Sequence, residues 1–271
     1  MTNPTMLVTG ATDGIGLQTA LQLAQGGARV LVHGRSEARA VDAVKRLGAA
    51  GVKGAVPVWA DLSVMAQVTG LAEQVRRHTD ALDVLVNNAG VFMTEDERTA
   101  DGFELTFAVN HFAPVLLTHA LLGALEQAPA ARVVNVSSVA HARGQVTVAD
   151  LPVPRAFDGY GVYGASKLLN VLFTHALARR LAARGSRVVT FALHPGVITT
   201  KLLEKGFGMA GASVESGART SVFCATSPRV GASGSYYSDA REVPCAPHAN
   251  DPALEAAVYE KSCQLVGCAP L

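Results

Sequence analysis

The first glycine-rich segment of the chain reads Thr9-Gly10-Ala11-Thr12-Asp13-Gly14-Ile15-Gly16, and it follows the short apolar run Met6-Leu7-Val8. Apolar residues then recur with helical spacing over 17–25, and Gly26-Gly27 ends that pattern. In a strand, glycine turn and helix of this kind, the first N–H groups of the helix can approach a pyrophosphate closely. The segment predicts a nucleotide-binding turn, although its GxxxGxG spacing differs from the GxGxxG fingerprint and is a weak signal alone.

Strand and helix patterns continue to alternate along the chain. Further apolar strands are predicted at 28–33, 56–62, 82–86, 132–138 and 186–193. Helical patterns are predicted at 36–47, 65–78, 103–125 and 168–181. Such alternation predicts a three-layer α/β fold of the Rossmann type, with a doubly wound, mainly parallel sheet and helices on both faces.

Composition bounds the domain count and the class of partner. The chain has 271 residues, of which 49% are hydrophobic and 17% are charged, so residues 1–271 can form one domain around a large core. The net charge of +1 and the absence of a Lys/Arg cluster argue against a nucleic-acid partner. No cationic segment precedes a long apolar one at the N-terminus, which predicts a cytoplasmic protein without a membrane anchor.

Four cysteines, Cys224, Cys245, Cys263 and Cys268, lie in the last fifth of the chain. They form no CxxC pair, and no histidine is interleaved with them at zinc-ligand spacing. The sequence therefore predicts free thiols and no metal site.

Tyr163 and Lys167 stand four residues apart at the start of a helical pattern and therefore on one helix face. A phenol titrates near pH ~10, and a nearby ammonium favours its ionised form. This spacing predicts a proton donor whose pKa is lowered by Lys167. The alternative is an exposed Tyr/Lys helix face with no chemical role.

Other motifs accompany this pair in a recognisable order, namely Asn87-Asn88-Ala89-Gly90, Asn110, Val136-Ser137-Ser138 and His194-Pro195-Gly196. With the glycine turn, they make the sequence resemble the short-chain dehydrogenases/reductases over essentially its whole length. The resemblance implies four catalytic residues: Asn110, Ser138, Tyr163 and Lys167. Ser138 and Tyr163 would bind a carbonyl oxygen, Lys167 would hold the cofactor ribose, and Asn110 would distort its helix and hold a water. A satisfied core amide is the alternative for Asn110.

The glycine turn and the resemblance together imply a set of cofactor-binding residues. Asp61 and Leu62 would lie beside adenine, Asn88 to Gly90 beside nicotinamide, and Val197 and Thr199 at the carboxamide. The complete set is Gly10, Thr12, Asp13, Gly14, Ile15, Gly16, Arg35, Ser36, Asp61, Leu62, Asn88, Ala89, Gly90, Tyr163, Lys167, Pro195, Gly196, Val197 and Thr199. His194 is interpreted as structural or cleft-lining.

The end of the second strand indicates which cofactor is used. NAD enzymes commonly place an acid there for the ribose hydroxyls, whereas this sequence has Gly34-Arg35-Ser36. An arginine can hold a 2′-phosphate through two hydrogen bonds, which predicts NADP(H) over NAD(H). Asp13 would weaken that preference, and Arg35 could instead cap a surface turn.

Two segments are predicted to cover the substrate, an insert at about 141–161 and a lid at about 201–212. The insert and the tail, with Gly234 to Asp239 and 253–265, resemble retinol-dehydrogenase-like and WW-domain-oxidoreductase-like members of the family. Apolar residues suggest a cleft for a bulky lipophilic or polycyclic compound, namely Phe92, Met93, His141, Phe157, Leu202, Leu203 and Phe207.

The predicted function is hydride transfer between NADP(H) and a small-molecule carbonyl compound or alcohol, in particular as a ketoreductase. The alternative is a regulator that senses NADP(H) on the same fold without turnover. The resemblance favours a homodimer or homotetramer over a monomer, since relatives pair the helices that carry Asn110 and Tyr163, although the insert could obstruct that face.

Overall fold

The computed structural model describes residues 3–200, 202–204, 208 and 210–271. In this part of the chain, one sheet has the strand order β3-β2-β1-β4-β5-β6-β7-β8. Strands β1 to β7 pair in parallel, and β8 is antiparallel to β7. The strands are β1 (Thr5–Val8), β2 (Arg29–Gly34), β3 (Val56–Trp59), β4 (Val84–Asn87), β5 (Arg132–Val136), β6 (Val189–His194), β7 (Tyr236–Ser238) and β8 (Arg241–Glu242).

Helices connect the parallel strands and cover both faces of the sheet. They are α1 (Gly14–Gln25), α2 (Glu37–Ala49), α3 (Met65–His78), α4 (Leu105–Gln127), α5 (Gly159–Ala183), α6 (Val214–Thr226) and α7 (Pro252–Val266). One apolar core lies between the sheet and α1, α2 and α6, and a second lies between the sheet and α3, α4, α5 and α7. The predicted three-layer, mainly parallel α/β fold is confirmed.

The strand order reverses at β1, which has β2 on one side and β4 on the other. Crevices for ligands form at the carboxyl ends of strands at such a point. The residues after β1, β4 and β5 therefore meet at one edge of the sheet, and these residues carry the glycine turn, Asn88 to Gly90 and Ser138.

Helix α4 contains a π-helical turn, Ala108–Phe112, between an α-helical turn and the α-helix Ala113–Gln127. By length and composition alone, α4 could cross a membrane. Its most apolar window is, however, 83% buried within the protein, because it packs in the second core. This burial accounts for the long apolar pattern.

A ladder of buried polar side chains crosses the middle of the sheet. Asn87 and Asn135 are paired in register on β4 and β5, and Asn87 Nδ2 donates to Asn135 Oδ1 at 2.9 Å. Asn87 Nδ2 also lies 3.2 Å from Thr118 Oγ1, and Asn135 Nδ2 donates to Thr174 Oγ1 at 2.9 Å. The ladder thus ties two strands to α4 and α5, which aligns the elements that carry the candidate catalytic residues.

Several strands are shorter than predicted, such as β3, which ends at Trp59, and β6, which begins at Val189, and the structure also differs from the predicted elements in larger ways. Helix α5 begins at Gly159, upstream of its apolar pattern, because the Asp158 carboxylate accepts hydrogen bonds from the N–H groups of Tyr160 and Gly161. The sequence patterns predict neither helices α6 and α7 nor strands β7 and β8. The predicted insert overlaps the short 3₁₀ helix Val139–Arg143 and contains a second one, Val148–Asp150.

Candidate active site

The glycine turn packs directly against the exit of β4. Gly10 adopts φ +62°, and a Cβ there would lie 2.9 Å from Ala89 Cα. A Cβ on Gly16 would strike the Gly10 carbonyl oxygen and the Asn88 side-chain amide. Both positions require glycine, because a side chain would push the first turn of α1 away from the nucleotide crevice.

Thr9 and Asn88 hold the two sides of that crevice together. Thr9 Oγ1 accepts hydrogen bonds from the N–H groups of Asn88 and Ala89, at 2.9 and 3.0 Å. In return, Asn88 Nδ2 donates to the Thr9 carbonyl at 2.8 Å. The backbone from Asn88 to Gly90 is therefore fixed beside the glycine turn.

His33, at the end of β2, holds the glycine turn through a hydrogen bond. Its Nδ1 accepts the Gly10 N–H at 3.0 Å, and its Nε2 lies 3.1 Å from the Ala60 carbonyl. These partners set a neutral ring with the proton on Nε2. Burial lowers the pKa of His33 to about 4. No sequence pattern indicates this role, because a histidine inside an apolar strand resembles any core residue.

Asn110 lies in the π turn of α4 and is fully buried. Its Oδ1 accepts the Val91 N–H at 2.8 Å, and its Nδ2 donates to the Val91 carbonyl and to Ser166 Oγ, both at 3.0 Å. The expected helix distortion is therefore present, and the amide also has the partners of a satisfied core residue. A Cβ on Gly90 would lie 3.4 Å from both Asn110 Oδ1 and Lys167 Nζ, so these two groups meet at Gly90.

Lys167 is buried on α5 and donates from Nζ to the Val136 carbonyl at 3.0 Å. Its Nζ lies 5.5 Å from the centre of the Tyr163 ring. Burial lowers the pKa of Lys167 to about 8. The structure therefore places the predicted pair side by side and excludes the exposed helix face.

Burial raises the pKa of Tyr163 to about 12, and a hydrogen bond with the Ser138 side chain offsets only part of that increase. The expectation that Lys167 lowers this pKa is wrong for the structure described here. Burial is the largest effect on this pKa, and the Lys167 ammonium is itself desolvated and hydrogen-bonded to the Val136 carbonyl. Tyr163 is consequently a protonated donor at neutral pH.

Ser138 follows β5 and begins the 3₁₀ helix Val139–Arg143, whose Ala140 N–H it accepts at 3.2 Å. A close backbone contact fixes this segment against α5. A Cβ on Gly144 would lie 2.6 Å from Gly164 C and 3.0 Å from Ala165 N. The distance between Ser138 and Tyr163 therefore depends on Gly144, which no sequence motif indicates.

The predicted adenosine side of the crevice lies at the ends of β2 and β3. Arg35 is exposed there, and Ser36 is the residue that precedes α2. Asp61 accepts hydrogen bonds from the N–H and hydroxyl groups of Ser63, at 2.9 and 2.7 Å. Asp13 caps α1 by accepting the Gly14 N–H at 2.9 Å, so its carboxylate stands at the helix N-terminus. Leu62 is buried, while Thr12 and Ile15 are half-buried.

The predicted carboxamide side follows β6. Gly196 adopts φ +98°, which turns the chain after Pro195. Thr199 Oγ1 donates to the Gly211 carbonyl at 2.9 Å and accepts the Gly211 N–H at 2.8 Å. This pairing closes the loop that carries Val197. Of the predicted lid, residues 201, 205–207 and 209 lie outside the described residues, and Phe207 is among them.

Comparisons with known proteins identify the family of this chain. The sequence profile of the short chain dehydrogenase family matches residues 4–210. Retinol dehydrogenase 12 of Bos taurus is 37% identical over 97% of this chain and 86% of that protein. Polyprenol dehydrogenase of Homo sapiens is 33% identical over 96% of this chain and 84% of that protein. A crystal structure of a putative uncharacterized protein from Mycobacterium Paratuberculosis superposes with a TM-score of 0.84, at 31% identity, over 99% of this chain and 95% of that one.

The chain belongs to the short-chain dehydrogenase family. Within this family, it belongs to the retinol-dehydrogenase-like branch, since the relatives match nearly its whole length. Hydride transfer by an oxidoreductase is therefore its class of chemistry.

In this short-chain dehydrogenase, the fold brings Asn110, Ser138, Tyr163 and Lys167 together at the carboxyl ends of the central strands. His194 is buried at the end of β6, and burial lowers its pKa to about 4, consistent with a structural role. His141 has a different role from the predicted cleft lining. Its Nδ1 lies 2.6 Å from the Ser138 carbonyl, and its Nε2 accepts the Ala246 N–H at 3.0 Å, so it joins the catalytic segment to the C-terminal region.

Proposed function

We propose that this protein is an NADP(H)-dependent short-chain dehydrogenase that interconverts a lipophilic carbonyl compound and its alcohol, in particular as a ketoreductase. The observation that carries the substrate class is an exposed apolar rim around the candidate site. Val139, Tyr160 and Val197 are 54%, 58% and 46% exposed, although large apolar side chains are usually buried.

Each rim residue is adjacent to the catalytic machinery. Val139 follows Ser138 directly, and Val197 lies in the loop that follows β6. The Phe92 ring lies 5.2 Å from the Tyr160 ring and 5.6 Å from the Tyr163 ring, centre to centre. A bulky apolar group would therefore cover Phe92 and Tyr160 when its polar end reaches Tyr163. The names of the retinol and polyprenol dehydrogenases point to lipophilic alcohols of the same kind.

The residues of the crevice fit a nicotinamide cofactor, since the glycine turn leaves room for a phosphate beside α1 and Lys167 projects to Gly90. When bound, the nicotinamide would supply or accept the hydride. In the reductive direction, Ser138 and Tyr163 would hold the carbonyl oxygen, and Tyr163 would give it the proton. Lys167 would hold the ribose and stabilise the phenolate formed at Tyr163, which opposes the desolvation that raises its pKa. Asn110 would position the Gly90–Val91 backbone and complete a proton relay.

Tyr163→Phe tests this mechanism because it removes only the hydroxyl. Loss of general acid catalysis should lower kcat by roughly 10²–10⁴-fold. Cofactor affinity should remain nearly unchanged. A variant that keeps a third of the activity would contradict the role of Tyr163. If the wild type binds NADP(H) but shows no nicotinamide absorbance change with any of a broad set of ketones and aldehydes, the sensing regulator is the better reading.

The cofactor preference rests on Arg35, an exposed residue that directly follows β2, where the adenosine ribose is expected to bind. One charge-assisted hydrogen bond contributes about 1.5–3 kcal/mol, which is roughly ten- to more than hundredfold in affinity. We expect kcat/KM to be higher with NADPH than with NADH. The factor should lie at the lower end of that range, because the Asp13 carboxylate would weaken the binding of a phosphate. A wild type that prefers NADH would show that Arg35 does not contact the cofactor.

Arg35→Leu is the informative variant, and it should bring the two cofactors close to parity. An acid at Gly34 is unsuitable, because a Cβ there would lie 2.7 Å from Thr12 Cγ2 and 2.9 Å from Ala40 N. Arg39→Leu is a matched control, since Arg39 is also exposed on the first turn of α2. The control should keep the NADPH preference.

We also propose a cytoplasmic location for this protein, which cell fractionation of the full-length gene product would test. For assembly, the prediction of a homo-oligomer stands against one observation. Helix α7 packs on α5, where the Tyr259 and Phe173 rings stack at 6.1 Å, and thereby covers part of the face predicted to form a dimer. This packing favours a monomer.

A further inference from the structure

A cluster of one histidine and two cysteines lies away from the candidate active site, where α4 meets the end of α7. Its members are His119, Cys263 and Cys268, and their ligand atoms all lie within 4.8 Å of one another. The sequence suggested no such site, because Cys263 and Cys268 have the wrong spacing and His119 is far from them along the chain. The geometry points to a binding site for a single thiophilic metal ion, which we identify by its ligand chemistry as Zn²⁺.

The distance between His119 and Cys263 matches a tetrahedral metal centre. Zinc lies about 2.0–2.1 Å from a histidine nitrogen and about 2.3 Å from a cysteine sulfur, so a tetrahedral nitrogen–sulfur pair is about 3.6 Å apart. Cys263 Sγ and His119 Nε2 lie 3.7 Å apart. The two ligand atoms therefore already have the separation that one shared ion requires.

His119 is held in the tautomer that a metal needs. Its Nδ1 lies 2.8 Å from the Val115 carbonyl and donates its proton there, so Nε2 carries the lone pair. This Nε2 faces Cys263 and also accepts the Tyr259 hydroxyl at 2.8 Å. A backbone carbonyl behind the ligating ring is the usual outer-shell support of a metal-bound histidine.

Cys268 reaches the cluster through the end of α7. Gly267 adopts φ +72° and reverses the chain, and the Cys268 N–H then bonds to the Cys263 carbonyl at 3.0 Å. This turn places the second thiol beside the first.

Charge and access also suit a divalent cation. Two thiolates and one neutral imidazole would balance the +2 charge, which keeps the cost of a half-buried ion low. Cys263 is fully buried, whereas His119 and Cys268 are half-buried and leave a path from solvent. On binding, the Tyr259 hydroxyl would turn away from His119 Nε2, and a water would complete the tetrahedron.

The test uses the full chain, reduced with a phosphine, freed of metal with a chelator and then given one equivalent of Zn²⁺. We expect about one Zn²⁺ per chain after gel filtration, a rise in Tm, and a sulfur-to-metal charge-transfer band when Co²⁺ replaces Zn²⁺. Cys268→Ser and His119→Gln should each weaken Zn²⁺ binding by at least the ten- to hundredfold that loss of an outer-shell partner costs. Cys245→Ser is the matched control, because Cys245 is a half-buried thiol outside the cluster, and it should bind Zn²⁺ as the wild type does.

Two results would overturn the proposal. The first is a reduced wild type that retains no Zn²⁺, and a disulfide between Cys263 and Cys268 formed with glutathione disulfide would then identify the cluster as a redox pair. The second is equal Zn²⁺ binding by Cys268→Ser and Cys245→Ser. Because Cys268→Ser and His119→Gln change half-buried side chains, circular dichroism can confirm that they are folded even if a Cys263 variant is not.

Discussion

The acid sensitivity of this protein should depend on His33, the buried histidine beneath the glycine turn. In the folded chain, its pKa is lowered to about 4 by burial, whereas an unfolded histidine titrates near 6.5. The unfolded chain therefore binds more protons between these two values, and the stability contributed by neutral His33 is lost as the pH falls through that window. The full difference corresponds to about 3 kcal/mol, of which about 2 kcal/mol is lost between pH ~7 and ~5.

His33→Gln isolates this contribution. His111 and His194 are also buried, with pKa values lowered to about 3 and about 4, so the wild type should lose more stability than His33 alone explains. We expect the variant to lose about 2 kcal/mol less than the wild type between pH ~7 and ~5. Urea unfolding at the two pH values gives both differences. His78→Gln, at an exposed position, is the control and should behave as the wild type.

The same residue links acid to cofactor binding. Protonation would place a proton on Nδ1, which then faces the Gly10 N–H that it normally accepts. Two opposed donors would loosen the glycine turn, so cofactor affinity in the wild type should fall at low pH together with stability. The role of His33 in acid sensitivity is refuted if His33→Gln loses as much stability between pH ~7 and ~5 as the wild type does.

Three other predictions follow from the packing of α5. Gly144→Ala would press a Cβ into the backbone of Gly164 and move Ser138 away from Tyr163, so kcat should fall at least tenfold and the free energy of unfolding by about 1–3 kcal/mol. Gly123→Ala is the control, because a Cβ at Gly123 meets no atom within 4 Å, and it should leave kcat and stability unchanged or improved. The buried Lys167 has a pKa lowered to about 8 and should lose its proton as the pH rises through that value. We therefore expect kcat/KM to decline above pH ~8, and a flat profile to pH ~10 would refute the role of the Lys167 ammonium in catalysis. Light scattering at micromolar concentration should give the mass of one chain, since α7 covers α5, and a dimer would show that the remaining surface suffices.

The fold and most of the site could be predicted from local sequence patterns. Buried parallel strands are short apolar runs, and the glycine turn, Asn88 to Gly90, Ser138 and the Tyr163/Lys167 pair all lie at strand or helix ends that such patterns locate. Helix α3 has the predicted bounds, 65–78, because its apolar residues face one core with regular spacing.

The remaining features depend on contacts between distant segments. No local pattern shows that His33 accepts a hydrogen bond from Gly10, that Gly144 packs against the backbone of Gly164, or that His119 lies beside Cys263. The pKa of Tyr163 was predicted with the wrong direction for a related reason. The spacing places an ammonium nearby, but the extent to which both groups are removed from water is a property of the folded core.

The π turn of α4 also determines which side chains of the downstream helix face each neighbouring element. One extra residue in a turn rotates the downstream helix by about 100° relative to an uninterrupted α-helix. Upstream of the turn, Glu104 caps the helix by accepting the Phe107 N–H at 2.8 Å, and downstream His119 faces the end of α7. Deletion of a single residue from Ala108–Phe112 would leave a regular helix that still buries apolar side chains, but it would withdraw Asn110 from Val91 and turn His119 away from Cys263. The active site and the C-terminal cluster, which share no side chain, thus depend on the same inserted residue.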